Sequence, residues 1–300
     1  MSEFLEDVPE PAPEVPEAPH VDDSVGPPPE STPRRIPNFA HALLFITFAG
    51  LLLFLFELLV IAVGGPPTTV HAGTTTIQHP KLQIAAEAAT YLTTLLAAWL
   101  FYPLVWHRPF LDGMRWQWST ARDQANKLIG LGLVLGIMSA AVDYFITTSK
   151  PPPIDDFFLT QSDAWIVTFF GILVAPIFEE ICFRGFLVPA FAIAYDWISL
   201  PRTEEGRARW LTTTTLTPAA LIFSAILSSL LFALLHGQQV AYTWNALLVL
   251  FCISLVLTFV RVKTQSVAAS AMVHSAYNSF IFLMTIIGTS GYRHLDRITK

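Results

Sequence analysis

The chain has 300 residues, of which 53% are hydrophobic and only 13% charged. A soluble domain carries nearer a quarter charged residues, so the composition excludes an ordinary water-facing fold. The formal net charge of −6 marks no nucleic-acid partner, because nine of the 23 acidic residues lie between Glu3 and Glu30.

Residues 1–37 are rich in proline and glutamate, with blocks such as PEPAPEVPEAP and GPPPESTP. Such a segment buries too little apolar surface to offset its chain entropy, and a disordered tail is expected. It has neither the basic start nor the early apolar core of a cleaved signal peptide, so the first apolar run is expected to remain as an anchor.

Apolar runs long enough to cross a bilayer follow at about 39–63, 83–105, 128–147, 164–182 (continuing to about 199), 218–236, 239–260 and 266–288. The fold expected is an all-α, polytopic transmembrane helix bundle of about seven spans, six to eight depending on residues 164–199. That stretch is too long for one simple span and too short for two, which fits one broken helix or a span followed by an interfacial helix. Arg34 and Arg35 place the N-terminus on the cytoplasmic side, and alternation then puts twelve Lys/Arg inside against five outside. Thr217-Pro218 marks a helix start, and Gly237 a helix end after His236. The chain divides into the tail 1–37, N-terminal helices 38–163, a core 164–290 and a short polar tail 291–300. Cys182 and Cys252 both sit in apolar runs and are read as packing residues.

An ionisable side chain is costly in lipid, so each one inside a span is a functional candidate. Glu57, Glu87 and Asp143 stand alone and are read as packing or interfacial groups. The C-terminal half is different, because Glu179, Glu180, Arg184, His236, His274 and Asn278 cluster in otherwise apolar sequence. At about 100° per residue, Glu180 and Arg184 share a helix face and can form an ion pair. Glu179 points elsewhere and is left available as a general base. Phe232 and His236 share a face in the same way. The four-residue spacing of His274 and Asn278 aims an imidazole and a carboxamide at one point, as oxyanion stabilisation requires. Each fragment alone is also explained by packing, capping or a polar contact between helices. One tension stands out: simple spans put His236 near the outer end of its helix and His274 in the inner half of its own. Either the helix from Pro218 starts well outside the membrane, or the 164–199 helix is broken or strongly tilted.

The three fragments, E-E-x-x-x-R-G at Glu179 to Gly185, F-x-x-x-H at Phe232 and His236, and H-x-x-x-N at His274 and Asn278, resemble the signature motifs of the CPBP family. This is the Abi or CAAX prenyl endopeptidase family of glutamic intramembrane proteases, and the resemblance spans about 164–288. It implies that Glu179 and His236 activate a water, that His274 and Asn278 hold the oxyanion, and that Glu180, Arg184 and Phe232 support the site. No cofactor or metal is then needed. A zinc protease is the first alternative, since Glu179, His236 and His274 form a His₂Glu ligand set, although no H-E-x-x-H occurs. A non-catalytic immunity or scaffolding protein is the second. The partners expected are the lipid bilayer and a peptide or protein substrate, lipidated or membrane-embedded, with no nucleic acid. The location expected is the inner cell membrane. Nothing in the sequence reports a prenyl pocket.

Overall fold

The computed structural model describes residues 34–65, 68–71, 74–77, 79–143, 145 and 153–298. Most of the N-terminal tail and the last two residues therefore lie outside the described residues. Among the described residues, seven helices are long and apolar enough to span a membrane. In chain order the elements are α1 (Phe39–Gly64), a hairpin of β1 (Thr68–His71) and β2 (Thr74–Ile77), α2 (Pro80–Trp106), the short α3 (Phe110–Met114) and α4 (Trp118–Asp123), and α5 (Ala125–Asp143). The long helix α6 (Gln161–Ile198) follows, then the short α7 (Glu204–Thr212), α8 (Pro218–Leu235), α9 (Trp244–Thr264) and α10 (Val267–Gly288). The chain is a polytopic helical membrane bundle. The hairpin, with Thr68 paired to Ile77, is an addition that no apolar run announced.

α1 packs along α2, and α10 along α5, with the central part of α6 between the two pairs. Small residues set the second contact: a Cβ on Gly132 would lie 2.5 Å from the carbonyl oxygen of Val273, and one on Gly136 would strike Phe280. Aromatic stacking joins α1, α2 and α6, with the Phe45 and Phe186 rings 4.4 Å apart and Tyr102 and Trp106 4.5 Å apart. Much of the outer surface of α1 and α2 is bare Leu, Phe and Ile, as lipid contact requires.

α6 is neither broken nor split, which corrects both expectations for 164–199. It runs unbroken for 38 residues because it widens twice, into π-helix at Phe170–Val174 and Ile181–Leu187. Each widened stretch ends two residues before a proline, Pro176 or Pro189. In a regular helix a proline ring clashes with the carbonyl four residues back and supplies no N–H. Widening the turn accommodates that loss. The N–H of Ala175 accordingly reaches back five residues to Phe170, and that of Val188 five residues to Phe183.

Side-chain caps fix the starts of α8 and α10. Thr217 accepts from the N–H of Ala220 at 3.2 Å ahead of Pro218, and Ser266 accepts from Ala269 at 3.2 Å at the head of α10. Gly237 follows α8 as expected but is not in the left-handed region; that geometry falls on Ala241 and Tyr242. What Gly237 supplies is room, since a Cβ there would sit 2.6 Å from the Tyr242 ring.

The depth conflict resolves through α6 and α8, which run antiparallel. Thr217 hydrogen-bonds Asp196 at one end of the pair, and His236 faces Glu179 at the other. At about 1.5 Å per residue both legs are about 25–30 Å long, whereas His274 lies only about 10 Å into α10. The far ends of α6 and α8 therefore extend together roughly 15 Å past the turn that joins α9 to α10.

Candidate active site

Glu179 and Glu180 close the regular turn between the two π-helical stretches of α6. Glu180 is fully buried, and its Oε1 accepts from Nη1 of Arg184 at 2.8 Å. Arg184 is equally buried and also donates to the carbonyl and hydroxyl of Ser254 on α9, at 2.9 and 2.7 Å. Its guanidinium lies 5.0 Å from the Phe232 ring centroid. A buried ion pair persists when further hydrogen bonds satisfy both partners, and here Ser254 supplies them for the arginine.

Glu179 has a different environment. Its side chain keeps 17% exposure, against 0% for Glu180. Its Oε2 is 3.7 Å from Nε2 of His236 and 3.8 Å from Nε2 of His274. Both distances exceed a direct hydrogen bond. Nδ1 of His236 lies 2.8 Å from the carbonyl oxygen of Phe232. A carbonyl only accepts, so Nδ1 carries a proton, and Nε2 is the nitrogen that faces Glu179. Phe232 packs flat on the His236 ring at 4.3 Å and edge-on to His274 at 5.9 Å. Nδ1 of His274 donates to Glu180 at 3.0 Å, so Glu180 holds both its own-helix arginine and the histidine of α10.

Asn278 has a partner that the spacing did not imply. Its Nδ2 donates to the carbonyl of Gly171, in the first π-helical stretch, at 2.6 Å. That carbonyl lacks a helical donor because Ala175 bonds Phe170 and Pro176 has no N–H. One amide hydrogen of Asn278 is thus committed to α6 and the second is left over.

Two neighbours escaped the sequence reading. Glu87 on α2, read there as solitary, interacts electrostatically with Glu179 and with Glu57, and Tyr91 one turn on does so with Glu179 and Glu87. Only the packing of α2 against α6 creates this relationship. Glu179, His236 and His274 do meet around one oxygen, but among the described residues no group of three such side chains is arranged to hold a metal ion. Cys182 is a free thiol, and no histidine contact to it is present among the described residues.

Residues 161–280 match the family described as type II CAAX prenyl endopeptidase, Rce1-like. This segment is thus similar to CAAX proteases of the kind that its three motifs resemble. No curated protein and no solved structure matches the chain. The matched stretch opens at the first residue of α6 and closes within α10, so it contains all three glutamate, histidine and asparagine motifs. The chain is accordingly a multi-pass membrane protein with a CAAX-endopeptidase-like segment at its C-terminal side.

Proposed function

We propose that the protein is a metal-independent glutamic endopeptidase that cleaves a peptide bond near the membrane surface. The observation that carries this reading is the approach of two imidazole Nε2 atoms, at 3.7 and 3.8 Å, to one carboxylate oxygen of Glu179, which forms no salt bridge with Arg184. A water placed between Glu179 and His236 donates one hydrogen to the Glu179 carboxylate and the other to Nε2 of His236. Its oxygen attacks the peptide carbonyl carbon while Glu179 takes the proton. The oxyanion is met by Nε2–H of His274, whose ring becomes a double donor with Glu180 on its other side, and by the remaining N–H of Asn278. Glu179 then returns the proton to the leaving amine as the C–N bond breaks. His236 and His274 divide the roles according to what each Nδ1 touches: a carbonyl in one case, a carboxylate in the other.

In this reading the substrates are membrane-embedded or lipidated proteins, the protein resides in the inner cell membrane, and the N-terminus faces the cytoplasm. Cleavage of a reporter peptide by purified protein tests the mechanism. Glu179→Gln should abolish most turnover and EDTA should not affect the wild type. A fully active Glu179→Gln variant removes the glutamate as base, and chelator inhibition reversed by zinc transfers the chemistry to a His₂Glu metal site.

A further inference from the structure

A cavity of about 560 Å³ opens where the ends of several helices meet, beyond the Arg184 end of the candidate active site. Five arginines line it, Arg34, Arg35, Arg108, Arg115 and Arg261, against a single acid, Asp112. Three of these arginines are partly engaged. Arg35 donates to the carbonyls of Trp210 and Thr213 and stacks on the Trp210 ring, Arg115 donates to Gln265, and Arg34 donates to His107. Arg108 and Arg261 have no hydrogen bond or ion pair among the described residues. Arg261 is 8% exposed, its Nε is buried without a partner, and the charge that acts on it is another cation, Arg115. A buried guanidinium in such a setting requires an anion.

The rest of the lining decides which anion. Val188, Ile193, Leu221 and Val262 form an apolar wall beside the arginine ring. The cavity thus offers planar forks for an oxyanion and a greasy surface next to them, at the level where spans end. Guanidinium forks match phosphate geometry, and basic pockets between transmembrane helices are where anionic headgroups dock. We infer that this cavity is a binding site for the phosphate headgroup of an anionic phospholipid, with its acyl chain laid against the Val188–Ile193 face of α6. The lipid then sits one turn beyond Arg184 on the helix that carries the active-site glutamates. A free phosphate lacks the apolar half of this match. The acidic N-terminal sequence, which leads directly into Arg34 and Arg35, is the competing anion.

The test uses the full chain, delipidated in an uncharged detergent, with bound lipid counted by native mass spectrometry across a titration. Phosphatidylglycerol should bind and phosphatidylcholine should not. Arg261→Gln should weaken phosphatidylglycerol binding about tenfold or more, the loss expected for one charge-assisted contact. Arg108→Gln, at an exposed position that no core packing depends on, should weaken it in the same direction. Lys263→Gln removes the same charge from the same helix end, but outside the cavity, and should leave binding unchanged. Equal binding by wild type, Arg261→Gln and Arg108→Gln would overturn the site. So would competition by glycerol phosphate as effective as the lipid, which would reassign the cavity to a small anion. Binding that appears only after residues 1–30 are removed would assign it to the tail.

Discussion

Nδ1 of His274 lies 3.0 Å from Oε1 of Glu180, the same oxygen that accepts from Arg184 at 2.8 Å. One carboxylate oxygen thus links α6 to α10 and sets the orientation of the imidazole whose other nitrogen faces Glu179. The adjacent glutamates should therefore respond differently to the same substitution.

Glu179→Gln removes the proposed base and leaves the Glu180–Arg184 pair untouched, so the protein should fold with an unchanged thermal midpoint and lose about 10² to 10⁴ in turnover. Glu180→Gln leaves Arg184 buried without its counter-charge, a loss of about 3–5 kcal/mol. It also frees His274 to turn, so stability and activity should fall together. Differential scanning fluorimetry beside a reporter assay separates the two. Equal midpoints for both variants would refute the division.

Asn278 and Pro176 should be coupled although they do not touch. Asn278→Ala leaves the Gly171 carbonyl without its donor, a cost of about 1–3 kcal/mol. Pro176→Ala returns an N–H to the helix within reach of that carbonyl. The double variant should then be more stable than the sum of the single losses by about 0.5–3 kcal/mol, the range of contacting pairs. Strict additivity in a double-mutant cycle would mean that the proline does not create the need for Asn278.

Orientation is checked by labelling. Single cysteines at Ser119 and Thr212, both exposed in the short helices outside the spans, should react only after the cells are opened. Labelling of either one from outside intact cells would invert the bundle.

Asp155 belongs to the 3₁₀ turn Pro153–Phe158, outside the spans, where burial and then the neighbouring Asp156 push its carboxyl up to about 6. Between pH 4 and 6 the folded protein therefore holds a proton that the unfolded chain has released, and stability falls as pH rises through this window. Asp155→Asn should raise the thermal midpoint at pH 7 and leave it unchanged at pH 4. No difference at pH 7 would show that the turn tolerates the charge.

The spans were legible because length and apolarity alone define them, and the Glu180–Arg184 contact because four residues return to the same face. What hid was anything created by departure from regular helix. No periodicity reveals that α6 widens twice, although Pro176 and Pro189 inside an apolar run mark where a regular helix cannot continue. Without the widening there is no open carbonyl at Gly171, so this contact of Asn278 left no trace in the spacing. Glu87 looked isolated because its relationship is with another helix. The short helix Glu204–Thr212 lies in a charged loop, where local spacing carries no apolar signal.

The Asp196–Thr217 hydrogen bonds, at 2.5 and 3.1 Å, work as a datum from which two helical rulers are measured. Glu179 stands 17 positions back from Asp196, and His236 stands 19 positions on from Thr217. The chain between Asp196 and Thr217 sets neither distance, so a residue inserted there is slack. One residue inserted anywhere inside Pro218–Leu235 would move His236 by about 1.5 Å along its axis and about 100° around it. The same edit, a few positions apart in sequence, is thus harmless on one side of the datum and removes the histidine from the glutamate on the other.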